Sequence, residues 1–257
     1  MSNPVVKFLY GFKGLRQLAK RAIKNKTIYQ PFYNGTICFN AVEFNLFWLN
    51  DKTRESMDKE IQDKLLKLSQ EHELFIDIGA NIGIMTLSIA LRNPGIRTIA
   101  YDPNDFVLGY LRKSVAKNKL TARVEIVNAA VSDKQGKAYM NFTIGPYSAH
   151  LSDKGTAVDV VDFNQLLKQF HDKKVLFKMD IEGFEKNLVS ILVKDKNRNH
   201  TFVIEIHPKG LNQISEPEFV LTELLENNYT VTDVYGKKVT SMNDITDWSN
   251  VVCSYEN

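Results

Sequence analysis

LFIDIGANIGIMTLSIA, from Leu74 to Ala90, is the most informative stretch of this chain. Its first residues are apolar and lead to Asp77, as expected of a buried parallel strand. Gly79 and Gly83 then frame Asn81, and an apolar helical pattern follows. Glycines permit a tight turn and a close approach of backbone to ligand, and a helix N-terminus offers free N–H groups to an anion. The stretch therefore predicts a strand, a ligand-binding loop and a helix.

The spacing of the glycines excludes two common nucleotide-binding loops. A dinucleotide loop reads GxGxxG, whereas here Asn81 stands at the second glycine and Ile84 at the third. The phosphate loop of NTPases requires Lys after its last glycine, where this chain also has Ile84. The pattern instead resembles the S-adenosylmethionine loop of Rossmann-like methyltransferases. A turn without ligand, in which the glycines only join strand to helix, is the alternative.

The composition indicates one α/β domain with extensions. The chain has 257 residues, is 44% hydrophobic and carries a net charge of +3, which by itself is too small to indicate nucleic-acid binding. No apolar run approaches the roughly 20 residues of a membrane span. Cys38 and Cys253 lie far apart, give no metal-ligand spacing and are typical of a reduced, cytoplasmic protein.

The first thirty residues contain many basic residues and no acidic one, with apolar residues at three- or four-residue steps. This pattern predicts a basic amphipathic helix. Such a helix could contact an anionic membrane surface or a nucleic acid, or pack its apolar face on its own domain. The dipeptide Asn34-Gly35 then predicts the turn of a β-hairpin, because both residues accept positive φ angles.

Strands and helices alternate along the rest of the chain. We predict helices over 56–71, 105–118, 163–170 and 217–227, with another after Gly183, and strands over 97–101, 123–127, 175–180, 201–206, 229–235 and 251–255. An added β segment over 137–143 and a looser stretch over 144–160 form an insertion. Repeated strand–helix units predict a doubly wound, mostly parallel sheet with helices on both faces.

Ligands of such sheets bind at the carboxyl ends of the strands. Asp102 ends the second strand, where a carboxylate can accept hydrogen bonds from both hydroxyls of a ribose. The alternative role of Asp102 is to cap the next helix, although Asn104 or Asp105 could do so instead. After the third strand, Asn128 and Ala129 suit the adenine side of a pocket, or form only a small-residue turn.

The segment KMDIEGFEKNLV, from Lys178 to Val189, holds the candidate catalytic groups. Strand alternation places Lys178, Asp180 and Glu182 on one side, where Lys178 could also serve only to neutralise a carboxylate. Glu205 and His207 share the end of the next strand, and His207 could act as a general base or be structural. Asp180, Glu182, Glu205 and His207 could also surround a divalent cation.

Taken together, five motifs in this order resemble the FkbM family of S-adenosylmethionine-dependent methyltransferases. They are DIGANIG (77–83) with Thr86, YDPN (101–104), NAAVSDKQG (128–136), KMDIEGFE (178–185) and EIHP (205–208). The resemblance covers about residues 45–207. It implies a class I Rossmann-like methyltransferase fold with a seven-stranded sheet. The family's usual Glu-Pro after the second strand is Asp102-Pro103 here.

The resemblance also implies roles for individual residues. Asp77, Gly79, Asn81 and Gly83 would hold the methionine end of S-adenosylmethionine, Asp102 its ribose, and Asp180 and Glu182 would stand near the methyl group. The expected cofactor-binding residues further include Thr86, Asn104, Asn128 and Ala129, and the expected catalytic residues are Asp180, Glu182 and His207. Residues 1–44 would be an extension and 45–257 the methyltransferase domain.

The resemblance implies transfer of a methyl group to a hydroxyl of a sugar, a glycan or a small natural product. One alternative is a nucleic-acid methyltransferase whose basic N-terminal helix binds phosphates. Another is a module that binds an adenosyl ligand without chemistry, against which the acidic cluster argues. We expect a cytoplasmic protein that could contact a membrane through its first helix.

Overall fold

The computed structural model describes residues 26–43, 58–142, 150–151, 155–211, 214–246 and 248–255. The predicted N-terminal amphipathic helix lies outside these residues. Within the described residues, no helix is both long enough and apolar enough to cross a membrane.

The elements follow the predicted alternation. The helices are α1 (Lys59–Ser69), α2 (Ile84–Arg92), α3 (Asp105–Lys117), α4 (Phe163–Gln169), α5 (Glu185–Asp195) and α6 (Pro217–Glu226). The strands are β1 (Thr27–Phe32), β2 (Gly35–Asn40), β3 (Leu74–Ile78), β4 (Arg97–Tyr101), β5 (Val124–Val127), β6 (Ala130–Ser132), β7 (Gly136–Asn141), β8 (His150–Leu151), β9 (Thr156–Asp162), β10 (Val175–Met179), β11 (His200–Ile206), β12 (Tyr229–Asp233) and β13 (Ser249–Tyr255).

Seven strands form the main sheet in the order β12-β13-β11-β10-β3-β4-β5. The strands from β11 to β5 pair in parallel, whereas β13 runs antiparallel to both β11 and β12. The predicted doubly wound, mostly parallel sheet of seven strands is confirmed. The chain goes from β3 to β4 on one side and later enters β10 on the other, so the strand order switches beside β3.

The two central strands, β3 and β10, are buried on both faces of the sheet. All five residues of β3 and all five of β10 are buried, which explains why each strand is apolar except for one charged residue near its carboxyl end. Asp77 and Lys178 are direct neighbours in the register of these strands. Burial on both faces determines the positions of these two strands. Their positions in turn determine where the charged groups at their carboxyl ends lie.

The hairpin β1–β2 exists, but its turn lies one residue earlier than predicted. The two loop residues are Tyr33, with φ of 50°, and Asn34, and Gly35 already pairs with Phe32. A Cβ on Gly35 would lie 2.5 Å from Oδ1 of Asn118 at the end of α3. The glycine is therefore required for close packing on α3 instead of for the turn.

A second sheet of four short strands has the order β6-β9-β7-β8. The prediction of a loose stretch over 144–160 was wrong where β8 and β9 form. In β9, Val158 and Val160 are buried while their neighbours Ala157 and Asp159 are exposed, an alternation typical of a strand. Val131 of β6 belongs to the same hydrophobic core as Ile78 of β3 and Met179 of β10, so the small sheet packs against the main one.

Candidate functional site

The loop between β3 and α2 is built on positive backbone angles, with φ of 86° at Gly79, 53° at Asn81 and 87° at Gly83. The backbone N–H groups of Gly79 and Ala80 both donate to the carbonyl of Tyr101, at 2.9 and 3.0 Å. A Cβ on Gly79 would overlap the backbone carbonyl of Asp180. Glycine at this position lets the loop and the end of β10 approach one another.

Asp77 lies at the base of the loop and is 2% exposed. Its Oδ2 accepts a hydrogen bond of 2.5 Å from the hydroxyl of Thr86, which is itself fully buried. Burial raises the pKa of Asp77 to about 6, although the bond from Thr86 and the charge of Lys178 counteract it. Thr86, predicted to bind the cofactor, thus holds the carboxylate of Asp77.

Asp102 follows β4 and accepts two backbone hydrogen bonds. Oδ2 receives the N–H of Asn81 at 2.9 Å and Oδ1 receives the N–H of Asn104 at 2.8 Å. These bonds lower its pKa, but burial outweighs them and raises it to about 6. One carboxylate thus connects the loop after β3 with the end of β4.

The helix that follows Asp102 has another cap. The side chain of Asn104 accepts from the N–H of Phe106 at 3.1 Å, so Asp102 does not have to cap α3. Asn128 donates from Nδ2 to the carbonyl of Asp102 at 3.0 Å. The side-chain amide of Asn128 is therefore hydrogen bonded to the backbone, beside the position predicted for adenine.

A cavity of about 700 Å³ opens at this end of the sheet, a volume typical of a ligand site. Of the residues predicted to bind cofactor, six line it: Asp77, Gly79, Asn81, Asp102, Asn104 and Ala129. Gly83, Thr86 and Asn128 are not part of this lining. Of the predicted catalytic residues, Asp180 and Glu182 line the cavity and His207 does not.

Lys178 lies at the bottom of the cavity and is 1% exposed. Its Nζ is 3.6 Å from Oδ2 of Asp180 and 3.4 Å from Oε2 of Glu205. Burial disfavours the ammonium, but these carboxylates together raise the pKa of Lys178. Burial also acts to raise the pKa of Asp180, and the charges of Lys178 and His207 reverse this and lower it. Lys178 therefore neutralises Asp180, which was the alternative role considered for it, and Glu205 is a second partner.

Glu182 stands in the turn between β10 and α5 with φ of 57°. Its side chain is 29% exposed and lines the cavity. Burial and the negative charge of Asp180 raise its pKa to about 7, against the opposing effect of His207. Near neutral pH this carboxyl group can therefore both accept and release a proton.

His207 is 2% exposed and lies behind the carboxylates. Nε2 is 3.6 Å from Oδ1 of Asp180 and 3.8 Å from Oε2 of Glu182. Nδ1 is 3.0 Å from Oε1 of Glu185, close enough for an ion pair. The two groups are not oriented as in a regular hydrogen bond. Burial opposes the imidazolium, but Glu185 and Asp180 raise the pKa of His207 to about 8.

Asp180, Glu205 and His207 also offer one ligand atom each within 4.8 Å of one another. Oxygen and imidazole donors suit a divalent cation. Lys178 already brings a positive charge to both carboxylates. The divalent cation predicted at these residues therefore stays a prediction.

Two parts of the cavity wall were not predicted. Asp58, the residue before α1, lines the cavity, as does the segment 132–140 around β7. Asp58 precedes an ordinary amphipathic helix and carries no motif that would have identified it. The added β segment predicted over 137–143 is β7, but its place in the cavity wall was not predicted.

The residues present fit an adenosyl sulfonium ligand. Asp102 supplies a buried carboxylate at the β4 end, the loop backbone at Gly79 and Asn81 lines the cavity, and Asp180 and Glu182 line it on the β10 side. Carboxylates are the expected partners of ribose hydroxyls and of cationic groups.

Comparison with known proteins agrees with this chemistry. The family model described as the methyltransferase FkbM domain matches residues 77–231, more than half of the chain. The chain is 33% identical over 70 residues to the 31-O-demethyl-FK506 methyltransferase FkbM of Streptomyces tacrolimicus, which covers 27% of this chain and 26% of that protein. The chain thus matches about a quarter of the length of this relative.

Solved structures show similar folds at low identity. A putative transferase from Pyrococcus horikoshii has a TM-score of 0.49 and 12% identity, covering 98% of this chain and 86% of the other. A putative caffeoyl-CoA O-methyltransferase from Staphylococcus aureus has a TM-score of 0.47 and 10% identity, covering 99% and 100%. With the family match, the motifs and the sheet order, the chain belongs to the FkbM family of S-adenosylmethionine-dependent methyltransferases.

Proposed function

We propose that this methyltransferase acts on a hydroxyl oxygen of a sugar, a glycan or a small natural product. The observation that carries the proposal is Glu182, a carboxyl group that lines the cavity and has a pKa of about 7. A hydroxyl must lose its proton as its oxygen is methylated, so a site for such acceptors needs a proton acceptor active near neutral pH.

The residues around the cavity divide into binding and proton-handling groups. Asp102 would accept hydrogen bonds from the ribose hydroxyls of S-adenosylmethionine, and the loop at Gly79 and Asn81 would hold its methionine end. S-adenosylmethionine, when bound, supplies an electrophilic methyl group on a positively charged sulfur.

Glu182 is the best placed of the three predicted catalytic residues to accept the proton at its carboxylate. Asp180 is held ionised by Lys178 and His207, which makes it a weak base. His207 is buried behind the carboxylates, and its charge stabilises the ionised forms of Asp180 and Glu182. Accordingly, Glu182 would accept the proton, while the charges of Asp180 and His207 adjust its pKa.

The acceptor class can be tested with S-adenosylmethionine that carries a deuterated methyl group. The purified protein is incubated with panels of sugars, oligosaccharides, polyhydroxylated natural products and RNA, and products are identified by mass spectrometry and NMR. The proposal predicts labelled O-methyl ethers in the sugar or natural-product panels. Labelling only at nitrogen or carbon, or only in RNA, would contradict it and, in the last case, favour the nucleic-acid alternative.

A further inference from the structure

Asp58 is an unusual residue at the start of α1. An Asp before a helix ordinarily has an extended backbone and caps the helix with its carboxylate. Asp58 instead has φ of 49° and ψ of 37°, and its side chain makes no capping hydrogen bond. It therefore adopts a left-handed conformation that is unfavourable for a residue with a Cβ. Its carboxylate also does not stabilise the start of α1 by capping.

The side chain of Asp58 belongs to the cavity. Asp58 is part of the cavity lining, together with Lys178 and Asp180. Although the residue is exposed by surface area, the surrounding walls desolvate its carboxyl and raise its pKa, and the charges of Lys178 and Asp180 act on it. Leu65 of α1 packs in one core cluster with Leu176 of β10, so Asp58, directly before α1, is placed on the β10 side of the cavity. Among the described residues, no cation forms an ion pair with it.

This side is opposite to the position predicted for the ribose. Asp102 follows β4, and β4 and β10 flank β3 on opposite sides, which separates them by about 10 Å. A ligand whose ribose is held at Asp102 therefore extends its other end across β3 toward β10. That end of S-adenosylmethionine is an amino acid, with one ammonium and one carboxylate.

The other groups of the cavity leave Asp58 as the partner for the ammonium. Ile84 and Met85 line the cavity at the start of α2, where backbone N–H groups suit the carboxylate. Asp77 accepts a hydrogen bond from the hydroxyl of Thr86, and Asp180 faces Lys178. Glu182 also lines the cavity, but it is the group proposed to accept the proton of the methyl acceptor. We propose that Asp58 binds the α-ammonium of the methionine end, an inference that rests on the proposed cofactor site and adds a residue to it.

The test is titration calorimetry on the full chain with three ligands. They are S-adenosylhomocysteine, its deamino analogue, which lacks the ammonium, and 5′-methylthioadenosine, which lacks the whole amino-acid end. The variants are Asp58→Asn and Glu60→Gln, the latter being a matched loss of charge two residues away that does not line the cavity. We expect wild type to prefer S-adenosylhomocysteine over the deamino analogue by about tenfold.

The proposal predicts that Asp58→Asn abolishes this preference and leaves the affinity for 5′-methylthioadenosine unchanged, while Glu60→Gln behaves as wild type. Because the preference is a ratio within one variant, partial unfolding of the protein does not produce its loss. Retention of the preference in Asp58→Asn overturns the proposal, as does an equal loss of affinity for all three ligands. A wild-type chain that binds none of them overturns the proposed cofactor site as well.

Discussion

Two carboxyl groups in one turn show how the surroundings of a residue set its chemistry. Asp180 and Glu182 are two residues apart, yet the pKa of Asp180 is lowered and that of Glu182 is raised to about 7. Lys178 contacts Asp180 at 3.6 Å, whereas burial and the neighbouring negative charges of Asp180 and Glu185 act on Glu182. The same strand end thus provides a permanent anion and a group that titrates near neutral pH.

Glu182→Gln is expected to lower kcat by roughly 10²–10⁴-fold, because glutamine cannot accept the proton. In wild type, kcat should fall as pH drops below about 7, since protonation of Glu182 removes the base. The variant should lose this acidic limb. Rate measurements across pH with the acceptor from the labelling screen test this, and Glu216→Gln, on the exposed side of an ion pair with Lys186, is the control. An unchanged rate in Glu182→Gln would eliminate this residue as the base.

Asp102 should make ligand affinity depend on pH. Its pKa is raised to about 6, and only the ionised carboxylate can accept hydrogen bonds on both oxygens. The affinity for 5′-methylthioadenosine, which contains the ribose and carries no charge, should therefore weaken as pH falls below about 6. Calorimetry should show a lower affinity with little pH dependence for Asp102→Asn. Asp105→Asn, at an exposed ion pair with Arg112, should retain the wild-type profile, and an identical profile in Asp102→Asn would disprove the ribose role.

At the scale of elements, the loop after β3 depends on the glycine that faces β10. Gly79→Ala places a Cβ on the backbone carbonyl of Asp180 at φ of 86°, so we expect a loss of more than about 1 kcal/mol in the free energy of unfolding. Gly109→Ala is the matched control, because Gly109 lies within α3 and a Cβ there meets nothing within 4 Å. Chemical denaturation should show stabilisation of roughly 0.5–1 kcal/mol for this control. Equal stability of the two variants would contradict the close approach of loop and strand.

The hairpin β1–β2 is attached to α3 by side-chain hydrogen bonds to its backbone. Asn118 accepts from the N–H of Thr36 at 2.8 Å and donates to its carbonyl at 2.6 Å. Asn118→Ala should therefore lower the free energy of unfolding by about 1–3 kcal/mol, as it leaves both groups without partners. Asn227→Ala at the end of α6 removes a bond only to Glu223 of its own helix and should cost less. Equal losses in denaturation experiments would show that the hairpin bonds contribute little.

The elements were predictable where local pattern and burial agree. The strands β3 and β10 are buried throughout and apolar except for Asp77 and Lys178, so their positions and the charged groups at their ends followed from the sequence to within about a residue. The turn of the hairpin did not, because Gly35 packs on Asn118, which also bonds to Thr36, 82 residues away from it along the chain. β9 was missed because its alternation is short and follows a segment rich in turn residues.

At the scale of the whole molecule, the topology creates the site. The switch in strand order beside β3 brings together the ends of β3, β4, β10 and β11. The sequence indicated this set of strand ends, but not which charges would pair across it. The contacts of Lys178 with Glu205 and of His207 with Glu185 depend on the register of β10 and β11 and on the position of α5. Asp58 likewise becomes part of the site only when α1 packs in place.

The central claim is that this cavity holds S-adenosylmethionine with its ribose at Asp102 and its sulfur toward Asp180 and Glu182. A crystal structure of the chain with S-adenosylhomocysteine tests it most directly. The account predicts ribose hydroxyls within hydrogen-bonding distance of the Asp102 carboxylate and the sulfur on the side of the cavity lined by Asp180 and Glu182. Density for the ligand elsewhere, or in this cavity with the ribose away from Asp102, would contradict it.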